Sequence, residues 1–190
     1  LASYLRAYVD AVEGRLVDSE PIHALTEFQP HIVGISAVSQ NYNRAKDMAR
    51  LSRQAGALVI VGGPHISALP ETLSPDMHLG IIGEGEETLA EIVRILHKYG
   101  PQPDPALWST VPGLVFRRSD GSLHRTPPRP LIEPLDHIPF PARDLLPYNS
   151  RYYHLISSRG CPYHCIFCSS TRFWGRVRFH SPEYVVREVK

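Results

Sequence analysis

"ALVIVGGPH", residues 57–65, is a short apolar run, rich in β-branched residues, that stops in two glycines and a proline. Such a run, without polar alternation, suits a strand of a parallel sheet covered on both faces. "HIVGIS" (31–36) has the same make-up, and "LGII" (79–82) is a shorter third copy. Between the first two, Ala45, Met48, Ala49, Leu51 and Ala55 mark an amphipathic helix that Gly56 can stop. After the third, Leu89, Ile92, Val93 and Leu96 form the stripe of another helix. Glu84, Glu86 and Glu87 stand at its start and His97 and Lys98 at its end, as the helix dipole favours. Leu1, Leu5, Tyr8, Val9 and Val12 add an earlier helix. Alternating strands and helices predict a doubly wound α/β fold with a parallel sheet over residues 1–100.

Residues 101–150 read differently. They hold eleven of the eighteen prolines, and proline fixes φ and donates no backbone hydrogen bond, so long helices and central strands are not expected there. "GLVFRRSDGSLHR" (113–125) still predicts a hairpin turning at Asp120-Gly121. Leu114, Val115, Phe116, Leu131, Ile132 and Phe140 call for burial, so the stretch reads as an ordered, proline-stiffened connector. In residues 151–190, "YYHLIS" (152–157) predicts a strand, a cysteine loop follows, and Ser181 and Pro182 open a helix as N-cap and first helical residue. One strand, one loop and one helix bury no core. Leu1 enters a helix with no strand before it, and the chain stops in mid-helix. Both ends predict an internal piece of a longer protein.

Composition excludes several classes. The formal charge is +1 over 190 residues, with no basic stripe, which gives no electrostatic case for nucleic acid. No apolar run approaches the roughly 20 residues that cross a bilayer. The three cysteines are odd in number and clustered, which argues against a disulfide framework and for a reducing compartment, the cytoplasm.

Those cysteines, Cys161, Cys165 and Cys168, lie in "RGCPYHCIFCSS" (159–170), spaced C-x-x-x-C-x-x-C. Structural zinc wants four closed ligands, and His164, His154 or His180 would complete a Cys3His site. An iron–sulfur cube also takes four ligands as a rule, so three thiols leave one iron open, and an open metal position is where catalysis happens. Three ordinary buried cysteines are the third reading. At the other end of the chain, ligands of α/β sheets gather beyond the strands' carboxyl ends. Ser36–Ser39, Gly62–His65 and Gly83–Glu86 fall there. "GEGEET" (83–88) nearly spells a dinucleotide fingerprint, with Thr88 in place of the third glycine, but its three carboxylates would repel a pyrophosphate.

"CPYHCIFC" after an apolar strand resembles the signature of radical S-adenosylmethionine (radical SAM) enzymes. The resemblance implies a [4Fe-4S] cluster on Cys161, Cys165 and Cys168, S-adenosylmethionine on the fourth iron, and Phe167 near the adenine. It also implies the first β-loop-α unit of a (β/α) barrel and an external electron donor such as flavodoxin or ferredoxin. "HIVGISAVS", "ALVIVGGPH" and "LGIIGEGEETL" resemble the Rossmann-like cobalamin-binding domain that precedes the barrel in one subfamily, and "VPGLVFR" and "PLDHIPFPARDLLP" resemble its connector. On that likeness Ser36, Gly62 and Gly63 line the slot for the nucleotide tail of cobalamin; glycine there lets backbone approach a bulky ligand. The motif D-x-H-x-x-G that supplies the cobalt-ligating histidine elsewhere does not occur, so His65 is not read as a cobalt ligand. The expected activity is methyl transfer to an unactivated carbon or phosphorus of a small-molecule substrate, with radical cyclisation or rearrangement as the alternative. A cobalamin carrier without chemistry and a zinc-stabilised interaction protein are the non-enzymatic alternatives.

Overall fold

The structure, a computed structural model, describes residues 1–18, 21–146 and 154–190, without the side chains of Thr171 and Arg172. Its helices are α1 (Ala2–Tyr8), α2 (Pro21–Phe28), α3 (Tyr42–Gln54), α4 (Pro64–Ala68), α5 (Glu86–Tyr99), α6 (Ser170–Trp174) and α7 (Pro182–Val189). Its strands are β1 (Ile32–Ser36), β2 (Leu58–Gly62), β3 (Leu79–Ile81), β4 (Leu114–Arg117), β5 (Leu123–Arg125), β6 (Ser158–Arg159) and β7 (Arg178–Phe179).

The three expected strands pair in parallel, β1 with β2 and β2 with β3, so their carboxyl ends share one edge. Alternate residues along them enter two cores. Val59 and Val61 pack with Ala45 and Ala49 of α3 and Ile66 of α4 on one face. Ile60, Leu79 and Ile81 pack with Ile92 of α5 and with Trp108 on the other. Both faces of the sheet are therefore covered, which is why its strands read as continuous apolar runs. Helix α1 lies outside α5, where Val9 meets Ala90 and Val93.

The hairpin departs from expectation. It turns at Asp120-Gly121 as read, but it is part of the sheet: β4 runs antiparallel to β3, and β5 antiparallel to β4. The sheet thus has five strands in the order β1-β2-β3-β4-β5, three parallel and two antiparallel. A central strand inside the proline-rich zone is possible because Pro112 and Pro127 fall just outside it and residues 113–126 contain none. Leu114 and Val115 are fully buried, Leu114 on the α5 face and Val115 on the α3 face.

The strand expected at 152–157 also differs. Tyr152 and Tyr153 lie outside the described residues, and residues 154–157 are not in a strand. Among the described residues pairing begins at Ser158, where β6 meets β7 antiparallel, and Ile156 is left 65% exposed. The α7 start is as expected: Ser181 Oγ accepts the Tyr184 N–H at 3.1 Å, and Pro182 is the first helical residue.

Gly80 in β3 faces the α4 side of the sheet, where a Cβ would stand 2.6 Å from Val115 Cγ1, 3.1 Å from Ile66 Cγ1 and 3.2 Å from Leu73 Cδ1. Gly80→Ala is expected to lower the unfolding free energy by about 1–3 kcal/mol through overpacking, read from urea titration, with Gly80→Val worse. An unchanged midpoint would mean that α4 is not tightly packed on β3.

Candidate functional site

The carboxyl edge brings together Ser36, Gly62 and Gly63. Ser36 is opposite Gly62 in the β1–β2 register, and the Ala37 N–H donates to the Gly62 carbonyl at 3.0 Å. Gly63 has φ +97°, and a Cβ on it would stand 2.8 Å from the Ala37 carbonyl oxygen and 3.2 Å from Ser36 Oγ. Only glycine suits that position, and the tight turn alone explains it. Gly62 differs, since a Cβ there would meet nothing within 4 Å. Its missing side chain leaves open space at the sheet's carboxyl edge, where Ser36, opposite it in the register, is exposed.

His65 follows this turn and is buried. Its Nδ1 lies 3.0 Å from Ser39 Oγ, its Nε2 lies 3.1 Å from Thr72 Oγ1, and its ring stacks on Tyr42 at 3.7 Å. Both ring nitrogens are used within the fold, so no lone pair is turned out toward a ligand. Burial lowers the His65 pKa, with Lys46 adding to the effect and Glu71 opposing it. His78 is lowered too, by burial and then by Arg53, and its Nδ1 accepts the Val59 N–H at 2.9 Å.

The third segment of the edge carries what the sequence did not disclose. Glu84 is 7% exposed and sits between two arginines. Arg178 donates to its Oε1 at 2.8 Å and its Oε2 at 3.0 Å, and Arg159 donates to Oε1 at 2.7 Å. The Ile132 N–H donates to Oε2 at 2.8 Å, while the Ile132 carbonyl accepts from Arg178 at 2.7 Å. Burial, the largest single effect, would raise the Glu84 pKa, but the hydrogen bonds from Arg178, Arg159 and Ile132 together outweigh it, and the carboxyl titrates below its ordinary 4.5. Arg159 reaches Glu86 as well, at 2.6 Å, and its guanidinium lies 5.5 Å from the centre of the Trp174 ring. The GEGE carboxylates, read as helix-dipole partners, are thus counter-ions to arginines 75 and 94 residues downstream of Glu84. Thr88, fully buried, donates to the Pro112 carbonyl at 3.1 Å and accepts from Arg129 at 2.8 Å, so it serves the fold.

Arg159 leads into the cysteine loop. Gly160 has φ +103°, and a Cβ there would stand 2.3 Å from the Arg176 carbonyl oxygen, so the chain can enter the loop only through glycine. All three cysteines are free; Cys161 is half-buried, and Cys165 and Cys168 are exposed. The Cys168 N–H donates to the Cys165 carbonyl at 3.1 Å, which closes a turn between them. Phe167 is 89% exposed, so it is not a core residue. Among the described residues, no three His, Cys, Asp or Glu side chains are gathered closely enough to hold a metal ion. Of the histidines weighed as a fourth ligand, His164 lies within the loop itself, between Cys161 and Cys165, and none forms a metal-holding group with the thiols among the described residues. His154 and His164 are exposed, and His180 is stacked on Tyr184 at 4.0 Å with its Nδ1 3.2 Å from Asp136 Oδ1. The three thiols thus share one accessible loop without converging on a common point; soft thiolates are donors that both zinc and iron–sulfur clusters accept. Helix α6, directly after the loop, lies alongside α4, directly after the Gly62-Gly63 turn.

An α/β sheet whose parallel strands end on one open edge is an architecture many domains share, and comparison narrows the kind. Residues 1–93 match the family described as B12 binding domain. An uncharacterised methyltransferase of Pyrococcus horikoshii is 34% identical over 193 aligned positions, covering 95% of this chain and 40% of that protein. An anaerobic magnesium-protoporphyrin IX monomethyl ester cyclase of Rubrivivax gelatinosus is 28% identical, covering 100% of this chain and 37% of that protein. The structure of the cobalamin-dependent S-adenosylmethionine radical enzyme OxsB with aqua-cobalamin and S-adenosylmethionine bound shares the fold, with a TM-score of 0.70 and 22% identity over 88% of this chain and 24% of that one. Residues 1–93 belong to the B12-binding domain family, and the chain is similar over most of its length to proteins named as cobalamin-dependent radical SAM enzymes. It spans about two-fifths of the length of the curated relatives it matches. No helix among the described residues is long and apolar enough to cross a membrane.

Replacing Glu84 by Gln leaves two buried guanidiniums without their shared carboxylate and should lower the unfolding free energy by about 3–5 kcal/mol in urea titration. A second expectation concerns pH. Folding makes His65 and His78 harder to protonate, so near their ordinary value of 6.5 the folded chain binds fewer protons than the unfolded chain. Their contribution is present above that value and lost as pH falls below it, so the melting temperature should drop as pH falls through about 6.5 and lower. A His65→Gln, His78→Gln double variant should flatten the drop.

Proposed function

We propose that this chain is the cofactor-holding part of a cobalamin-dependent radical SAM methyltransferase. The observation that carries the reading is the tether between its two halves: Arg159, two residues before Cys161, is ion-paired to Glu84 and Glu86 at the sheet edge that also carries the Gly62-Gly63 turn. In this reading residues 1–100, with the 114–125 hairpin, receive cobalamin. Residues 101–150 otherwise connect, and residues 151–190 open the catalytic unit. Ser36 and Gly62 accept the nucleotide tail, the hydroxyl as a polar contact and the glycine as clearance. Cys161, Cys165 and Cys168 hold the cluster, and Phe167 offers an apolar face for the adenine. When bound, the [4Fe-4S] cluster supplies one electron that cleaves the sulfonium of S-adenosylmethionine into methionine and a 5′-deoxyadenosyl radical, and cobalamin supplies the methyl group. In this reading three thiols leave one coordination position open, and His180 does not compete for it, being engaged with Asp136 and Tyr184. An external one-electron donor of the flavodoxin or ferredoxin class supplies the reductant.

Methyl transfer to an unactivated carbon or phosphorus is favoured over ring closure because the 34%-identical relative is named a methyltransferase, whereas the cyclase is 28% identical. Anaerobic reconstitution of the purified chain with iron and sulfide should produce sulfide-to-iron charge-transfer absorbance, and hydroxocobalamin should bind with a shift of its visible bands. Replacing Cys161, Cys165 or Cys168 by Ala should remove the first signal and spare the second. Stoichiometric zinc with no charge-transfer band would overturn the cluster assignment, and an unshifted hydroxocobalamin spectrum would overturn the cobalamin assignment.

A further inference from the structure

Strands β6 and β7 place Arg159 directly opposite Arg178. Like charges in that position repel, and both side chains are largely buried, Arg178 at 3% and Arg159 at 18% side-chain exposure. The pair can close only around an anion, and Glu84 is that anion. Glu86 then supplies the second negative charge, so two carboxylates and two guanidiniums balance. The division of contacts is uneven. Arg178 spends both terminal nitrogens on Glu84 and the Ile132 carbonyl, which fastens β7 and the connector. Arg159 spends one terminal nitrogen on each carboxylate, 2.7 Å to Glu84 and 2.6 Å to Glu86, and so is held by its fork across two residues of the sheet edge. The Gly83 N–H, next to Glu84, donates to Ser67 Oγ of α4 at 3.0 Å, so this end of the turn is itself anchored to the helix that follows Gly63.

We propose that Glu86, together with Glu84, is a positioning residue for the three-thiol loop: by gripping the fork of Arg159 it fixes where Cys161 starts relative to the sheet's carboxyl edge. The role rests on the cluster reading above for its purpose, but the grip itself is a property of the polypeptide and is measurable without metal. Glu86→Gln removes one arm of the grip and leaves the Glu84–Arg178 pair. Arg159→Lys keeps the charge but replaces a planar fork by a point donor that cannot serve both carboxylates in the same way. Arg159→Gln removes both charge and fork.

The test uses the whole protein and two readouts. In the metal-free form, hydrogen exchange of the amides in residues 159–168 should accelerate about tenfold in all three variants, while exchange in β2 and hydroxocobalamin binding stay at wild-type levels; the size is that of losing a hydrogen bond between charged groups from a locally opening segment. In the reconstituted form, the electron paramagnetic resonance signal of the reduced cluster should broaden, and iron retained after gel filtration should fall, in Arg159→Lys as much as in Arg159→Gln. Wild-type exchange in the loop of the metal-free Glu86→Gln and Arg159→Lys variants overturns the grip. A wild-type cluster signal in Arg159→Lys, with loss only in Arg159→Gln, also overturns it, since charge alone would then suffice. A wild-type protein that loads no cluster refutes the functional reading instead, and the exchange measurement still decides the grip.

Discussion

Glu84 carries more of this structure's organisation than any apolar contact, because it is the point at which three stretches of chain far apart in sequence are made to agree. It leaves the end of β3 beside Gly83, meets the backbone of Ile132 in the connector, and lies between guanidiniums from β6 and β7. Each of those partners is poorly hydrated where it sits. A carboxylate in such a place is stable as an anion only because several donors converge on it, and the arginines are stable beside each other only because it is charged. Such a network adds little net stability over well-packed apolar residues. What it supplies is geometry: an oily contact can slide, whereas four directed hydrogen bonds fix one arrangement.

The sheet prepares that point. Its three parallel strands end on a common edge because they are parallel, and the antiparallel hairpin β4–β5 closes the side of β3 that would otherwise be free. A strand of three residues is a weak element alone, but β3 is paired on both sides and packed on both faces, with Leu79 and Ile81 toward α5 and Gly80 admitting α4. The turn that follows it is therefore held firmly, and so are Glu84 and Glu86. The Gly62-Gly63 turn is fixed in the same manner by Ala37 and α4. Two rigid turns at one edge, one open and one charged, are what the B12-binding domain contributes here.

Much of this was legible in the residues. Periodicity located β1 to β3, α3 and α5, because fully covered strands leave an unbroken apolar run and half-covered helices leave a stripe. Local chemistry located the Ser181 cap, the Asp120-Gly121 turn and the cysteine loop. The failures share one cause, which is distance along the chain. Nothing near residue 84 announces that its counter-ions are Arg159 and Arg178, so a buried ion cluster looked like ordinary helix-end charge. Nothing within 113–125 says that β4 lies against β3, and a high proline count hid the proline-free window that makes it possible. At residues 152–157 an apolar run suggested a strand, but among the described residues pairing begins only at Ser158, because β6 is placed by its partner Arg178–Phe179 and not by its own hydrophobicity.

The separation of those counter-ions also orders events as the polypeptide leaves the ribosome. All five strands of the large sheet have emerged once residue 125 is out, and units nearer the amino end generally organise first. At that moment Glu84 and Glu86 are hydrated anions on a finished edge, with 34 and 53 residues still to pass before Arg159 and Arg178 arrive. The thiol-bearing loop is consequently the late arrival, delivered by a pair of cations to a berth already built, and the carboxylates surrender their water only then.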